Sequence, residues 1–278
     1  MINNLFKKRL FNTVRYIGII FGLIVCLFPI FIMVTTSLKN DVDSFSIPPK
    51  WIFKPILTNY KSILTEANFM KYFINSIVVS VVSTFLSIGA SSLAAYSLAR
   101  RNFIGKRIFS GSTFLMRMIP PVILVVPVFI MFRNLGILDS LVSLILVYTA
   151  LTMPFAIWVI TIFIGELPIS LEESAYIDGC STFQTFYKIV LPLISPGLSV
   201  AAIFTFRTAW NEFILSLILT NRMTRTLPVA VSLYITDTGT EWGKITAIAT
   251  IIAIPAFFFT FFSAKQLIAG MTAGSVKG

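Results

Sequence analysis

Histidine is absent from all 278 residues. That removes the commonest general base and metal ligand, so Ser-His and His-metal catalysis are excluded. Charge is scarce as well. Only 12% of residues are Asp, Glu, Lys or Arg, about half the usual share of a soluble domain, too few to clothe a water-facing surface. Acids are the rarer sign, 11 against 22 basic residues. Two cysteines, Cys26 and Cys180, lie far apart, the first inside an apolar run, so a disulfide framework is not expected. No G-x-x-x-x-G-K-[ST] sequence is present, so the chain has no ATP-binding loop of the usual kind.

What fills the sequence is apolar. Hydrophobic residues make up 56%, with 27 Phe, and the mean hydropathy is +0.90. Stretches of about 20 apolar residues are what a membrane-spanning helix needs. They fall near Tyr16–Thr36, Phe73–Leu98, Phe109–Phe132, Leu141–Ile164, Gly197–Leu219 and Ile245–Ile268. These predict an all-α, polytopic membrane protein of six helices: a single transmembrane domain over 16–268 with a short tail at each end, 1–15 and 269–278. Phe109–Phe132 is the least regular candidate, with Arg117 and three prolines. The first run, preceded by Lys7, Lys8, Arg9 and Arg15, is too long for a signal-peptide core and reads as an uncleaved anchor.

The basic clusters lie at the ends of apolar runs, which points to membrane topology and not to nucleic acid. The N-terminal cluster and Arg100, Arg101, Lys106 and Arg107 share one side if six helices cross, and the positive-inside tendency makes that side cytoplasmic. Both termini and the segment 166–196 are then cytoplasmic, in a multi-pass protein of the cell membrane. The segment 37–72 carries five lysines on the other side, diluted by Asp41, Asp43 and Glu66.

The segment 166–196 is long for a connection without a role of its own. Ser170 with Glu173, and Ser181 with Gln184, have capping-box spacing. A first helix over Leu171–Asp178 would end at Gly179. A second would place Phe183, Phe186, Tyr187 and Val190 on one apolar face before Pro192 stops it. Such an element either lies on lipid or receives a protein partner. Its polar residues are Glu172, Glu173 and Asp178 with only Lys188 opposing, which favours a protein.

Glu173-Ser174-Ala175, then three residues, Gly179, nine residues, and Ile189-Val-Leu191-Pro192 resembles the EAA loop of ABC-importer permeases, with Ser174 where Ala is usual. Thr36-Ser37-Leu38-Lys39, Asn59-Tyr60, Asn75-Ser76, Ala94-Ala95-Tyr96, Trp210-Asn211-Glu212-Phe213, Leu227-Pro228-Val229 and the ending from Gly270 to Gly278 are similar to stations of the maltose-type sugar permeases. The resemblance implies a type I ABC importer permease fold. It also implies a separate ATP-binding subunit, in two copies, docked on the loop. A second, non-identical permease and an extracytoplasmic solute-binding protein would complete the assembly, with no metal or cofactor and no enzyme activity in this chain. By the same resemblance Glu173 pairs with the ATPase, Gly179 permits the turn, so that Gly179→Asp uncouples transport, and Ile189, Leu191 and Pro192 pack on the membrane helices.

Arg117, Arg207 and Glu212 fall inside apolar runs, where charge is costly and usually faces a polar path. Arg207 lies about 15 Å into its helix and shares a face with Asn211. These residues are candidates for a translocation path. The alternatives are that Arg117 reaches back to the headgroups and that Arg207 and Glu212 are glue between helices. A permease for a glycerol phosphodiester or a polyamine fits the loop equally well. A secondary transporter leaves the loop without a role, and no constellation for a membrane enzyme is visible.

Overall fold

The computed structural model describes the backbone of residues 2–66, 68–236 and 239–273, with side chains over 11–261 apart from 67, 237, 238 and 260. The helices, in order, are α1 (Ile2–Ser37), α2 (Asp41–Ser44), α3 (Thr58–Thr65), α4 (Phe69–Arg100), α5 (Lys106–Met118), α6 (Val125–Asn134), α7 (Leu141–Glu166), α8 (Ser170–Ile177), α9 (Thr182–Thr185), α10 (Leu191–Leu193), α11 (Ser195–Asn211), α12 (Ile214–Leu219), α13 (Leu227–Val231) and α14 (Trp242–Ala273). Short 3₁₀ turns precede α6 and follow α13, and a two-residue ribbon pairs Ile235 with Thr240.

Four helices, α1, α4, α7 and α14, are long and apolar enough to cross a bilayer unbroken. Among the described residues two bent pairs, Lys106–Met118 with Pro121–Asn134 and Thr182–Leu193 with Ser195–Asn211, bring the total to as many as six if each is one span. The first is the expected Phe109–Phe132 helix. It breaks at Ile119-Pro120, where α5 and the Pro121–Asn134 half meet at 96°. Two consecutive prolines supply no N–H, and the residue before a proline is driven out of the helical region, as the Ile119 ψ of 118° records. The expected Gly197–Leu219 helix also divides. It stops at Asn211, Glu212 is extended, and α12 restarts at Ile214. No Gly or Pro marks that break. The Glu212 carboxylate makes it, accepting from the Leu215 and Ser216 amides at 2.9 and 3.1 Å, a side chain competing with the helix for its own backbone.

The chain forms two compact units. One holds residues 1–66 and 233–251. Within it the Thr36–Lys39 and Asn59-Tyr60 stations meet: Asn59 Nδ2 donates to the carbonyls of Ser37 and Lys39, both at 2.9 Å, and Ser37 Oγ bonds Tyr60 OH at 2.7 Å.

The other unit holds residues 67–232 and 252–278. Its frame is α4 against α7, with α11 packed on both and α5 on α7. A stripe of buried serines on α4 (Ser76, Ser80, Ser83, Ser87, Ser91) lets the helices approach closely, as small residues do in membranes. Thr152 Oγ1 donates to Ser87 Oγ at 3.0 Å across this seam. At the start of α11, a Cβ on Gly197 would run into the Phe163 ring, so only glycine fits there. The Asn75-Ser76 and Leu227-Pro228 stations also meet. Asn75 Nδ2 donates to the Met223 and Arg225 carbonyls, and Ser76 Oγ accepts from the Leu227 amide. Trp210 Nε1 donates to the Ile252 carbonyl, three residues before Pro255, at 3.0 Å. The ending from Gly274 lies outside the described residues.

Candidate functional site

The loop leaves α7 at Leu167-Pro168. Helix winding begins there, because the Leu171, Glu172 and Glu173 amides bond the carbonyls of Pro168 and Ile169. Ser170 therefore lies inside the first turn, and the expected capping box with Glu173 does not form. The far end of α8 closes as expected. Gly179 has φ +82°, the Cys180 amide donates to the Ala175 carbonyl and the Gly179 amide to that of Tyr176. That pair of bonds is the Schellman closure, which calls for glycine at the left-handed position. Nothing lies within 4 Å of a Cβ built on Gly179, so the demand is one of torsion, not of space.

The second capping box is present: the Ser181 hydroxyl accepts from the Gln184 amide, and the Gln184 side chain accepts from the Ser181 amide. The chain then stays helical to Leu193, past Pro192, and bends at Ile194. A π turn over Phe186–Val190, closed by the Leu191 amide on the Phe186 carbonyl, precedes α10. Pro192 sits in the first turn of α10, where no donor is required. It is therefore not the expected stop. The single apolar face also divides. Phe186 and Val190 are buried, whereas Phe183 and Tyr187 are 68% and 63% exposed.

The two halves of the loop are seated differently. Phe186, Val190 and Ile194 enter an apolar cluster with Ala95, Ile160 and Ile164 of the membrane helices. Helix α8 buries only Ala175 and Glu172. The Glu172 carboxylate accepts from Arg100 Nε at 2.5 Å and from Tyr96 OH at 2.7 Å. Arg100 Nη2 also donates to the Leu167 carbonyl at 2.9 Å. Both ionised side chains are nearly buried, at 10% and 6% exposure. Removing one partner of such a pair strands a buried charge and costs about 3–5 kcal/mol.

Of the residues singled out from the sequence, Glu173, Ser174, Asp178 and Gly179 face outward on the loop, and Ala175 faces in. Ile189 and Leu191 are half-buried. Pro192 is exposed. Outward with Glu173 stand Ile177, 86% exposed, and Tyr176. Sequence reasoning missed Glu172, Arg100 and Tyr96 as a group. Arg100 reads there only as a topology charge, and its partner is 72 residues away.

In the membrane region a cavity of about 120 Å³ brings together Arg117, Pro121, Tyr148, Thr152, Thr208 and Glu212. The Arg117 guanidinium lies over the Phe155 ring at 4.5 Å and near Trp158 at 5.6 Å, an arrangement that offsets part of the cost of an intramembrane cation. Glu212 accepts from Tyr148 OH at 2.7 Å besides capping α12. Arg207 and Asn211 do not line this cavity. Arg207 lies over Phe204 at 5.8 Å, and Asn211 Nδ2 bonds back to the Arg207 carbonyl.

Residues 87–272 match the family described as the inner membrane component of binding-protein-dependent transport systems. The chain is 34% identical to the diacetylchitobiose uptake system permease protein DasC of Streptomyces coelicolor, over 97% of this chain and 98% of the relative. It is 37% identical to the trehalose transport system permease protein SugB of Mycobacterium tuberculosis, over 79% and 81%. The crystal structure of a bacterial ABC transporter involved in import of the acidic polysaccharide alginate contains a chain of the same fold. The TM-score is 0.77 at 19% identity, covering 93% of this chain and 96% of that one. The chain belongs to the family of binding-protein-dependent transport inner membrane components: a multi-pass, helical transporter permease with the type I ABC importer fold.

Proposed function

We propose that this chain forms half of the membrane pathway of an ABC importer for a carbohydrate. Two copies of a separate ATP-binding subunit dock on residues 166–196 and drive it. ATP hydrolysis resides in those subunits. A second, non-identical permease forms the other half of the pathway, and an extracytoplasmic solute-binding protein delivers the sugar. Residues 16–268 act as one transmembrane domain whose tails, 1–15 and 269–278, are cytoplasmic with the loop.

The observation that carries this reading is the outward face of the loop. Glu173, Asp178, Ile177 and Phe183 project from a base fixed by the Schellman turn at Gly179 and by the burial of Glu172 and Phe186. An acidic rim around exposed apolar side chains on a rigid support suits a protein cleft. The carbohydrate class is supported by the diacetylchitobiose and trehalose permeases, which are similar over most of their length. Arg117, Arg207, Asn211 and Glu212 remain the candidates for the path. The cavity supports Arg117 and Glu212 as its lining, with Glu212 also shaping the helix break.

The test is reconstitution of this chain with its companion permease, ATPase and binding protein in proteoliposomes. ATP-dependent uptake of a labelled oligosaccharide is expected, lost on Glu173→Ala. Uptake that persists without the ATPase overturns the reading.

A further inference from the structure

We infer that Arg100 is a positioning residue for coupling: through one guanidinium it fastens the docking helix α8 to the ends of both α4 and α7. The inference rests on the reading that the loop receives an ATPase. Arg100 is the last residue of α4. Its Nε holds the Glu172 carboxylate on α8, and its Nη2 holds the carbonyl of Leu167, the residue that ends α7. One turn earlier on α4, Tyr96 OH takes the other carboxylate oxygen.

Besides this pair, α8 is held by a polar contact of Tyr176 with the Tyr96 hydroxyl and by little apolar burial. Ala175 is its single buried apolar residue, while Leu171, Tyr176 and Ile177 are exposed. A cavity of about 310 Å³ flanks the pair, lined by Tyr96, Arg101, Glu173 and Tyr176 among others, so no side chain is wedged there. Apolar packing has no direction and tolerates sliding, whereas charge-assisted hydrogen bonds from a planar fork are directional. A shift imposed on α8 therefore moves the ends of α4 and α7 together, as one body. The second half of the loop is seated by apolar packing and runs on into α11 instead. The geometry demands arginine. A lysine ammonium is a single point and does not present the two-sided fork that reaches Glu172 and Leu167 at once.

The experiment uses the whole assembly in proteoliposomes. Solute uptake and ATP hydrolysis are read in the same vesicles, and ATPase retention is read by co-purification. For Arg100→Gln and Glu172→Gln, the ATPase is expected to stay bound, while solute moved per ATP falls about tenfold. Arg100→Lys should lie between these variants and the wild type. The exchange Arg100→Glu with Glu172→Arg should recover part of the ratio, which also guards against single variants that fail to fold. An unchanged ratio in the assembled single variants overturns the inference. So does a fall in uptake and hydrolysis in strict parallel with lost assembly, for that is what a purely structural residue produces. Failure of the parent reading is visible separately: wild-type vesicles without ATP-dependent uptake overturn both.

Discussion

The first half of the loop between α7 and α11 is held by a buried ion pair and a hydroxyl, the second by aromatic and aliphatic packing. They share one post. Tyr96 gives its hydroxyl to Glu172 of α8 and lays its ring 5.1 Å from that of Phe186 in the π turn. The difference has a physical logic. The second half continues directly into α11 and needs to stay with the helix bundle, which apolar burial achieves without any fixed direction. The first half bears the outward residues Glu173 and Ile177. It needs orientation more than it needs adhesion, and directional bonds supply orientation.

Substitution in the apolar half acts on stability. Phe186→Ala removes a ring that is 6% exposed and should destabilise the protein by about 3–5 kcal/mol, the largest effect expected here. Thermal unfolding in detergent measures it. Wild-type stability in this variant would mean that the second half is not seated by packing. Tyr96→Phe keeps the ring against Phe186 and deletes only the hydroxyl. It leaves one Glu172 oxygen without its donor and should cost about 1.5–3 kcal/mol. Its damage should appear in solute moved per ATP more than in the melting temperature, the reverse of Phe186→Ala. Gly179→Ala meets no neighbour but forces a side chain to φ +82°, a strain of about 1–2 kcal/mol. Limited proteolysis at the α8–α9 turn reports it. Smallest in stability is Ile177→Ser, which removes an exposed side chain and should stay within about 0.5 kcal/mol of wild type. Its effect should fall instead on ATPase co-purification, and full retention of the ATPase would dismiss Ile177 as a docking contact.

The parts of this architecture that were legible beforehand are the local ones. Long apolar runs place α4, α7 and α14 within a few residues, because twenty apolar residues have one cheap solution in lipid. Gly179 and the Ser181–Gln184 box are legible because a cap is decided within one turn. Ser170 with Glu173 has the same spacing and fails, since Pro168 and Ile169 start the helix earlier and absorb the position a cap would occupy. The break at Glu212 was invisible to hydropathy, for the stretch Gly197–Leu219 is apolar on average and the capping bonds run forward from a single acid. The Arg100–Glu172 pair was invisible for a different reason. Its members are neighbours only after two membrane helices have folded back on each other, and no periodicity carries that information.

The double proline at Pro120-Pro121 has a consequence for biosynthesis. Neither α5 nor the half that follows it is long enough to cross the hydrocarbon layer alone, and the bend between them is 96°. Before α7 is made, this stretch offers the lipid a right-angled bend whose two prolines donate no hydrogen bond, together with the Arg117 guanidinium. The Arg117 seat on Phe155 and Trp158 has not yet been synthesised. The third span is thus a debt held open until α7 arrives. The order of translation makes α7, and not the stretch itself, the element that completes its insertion.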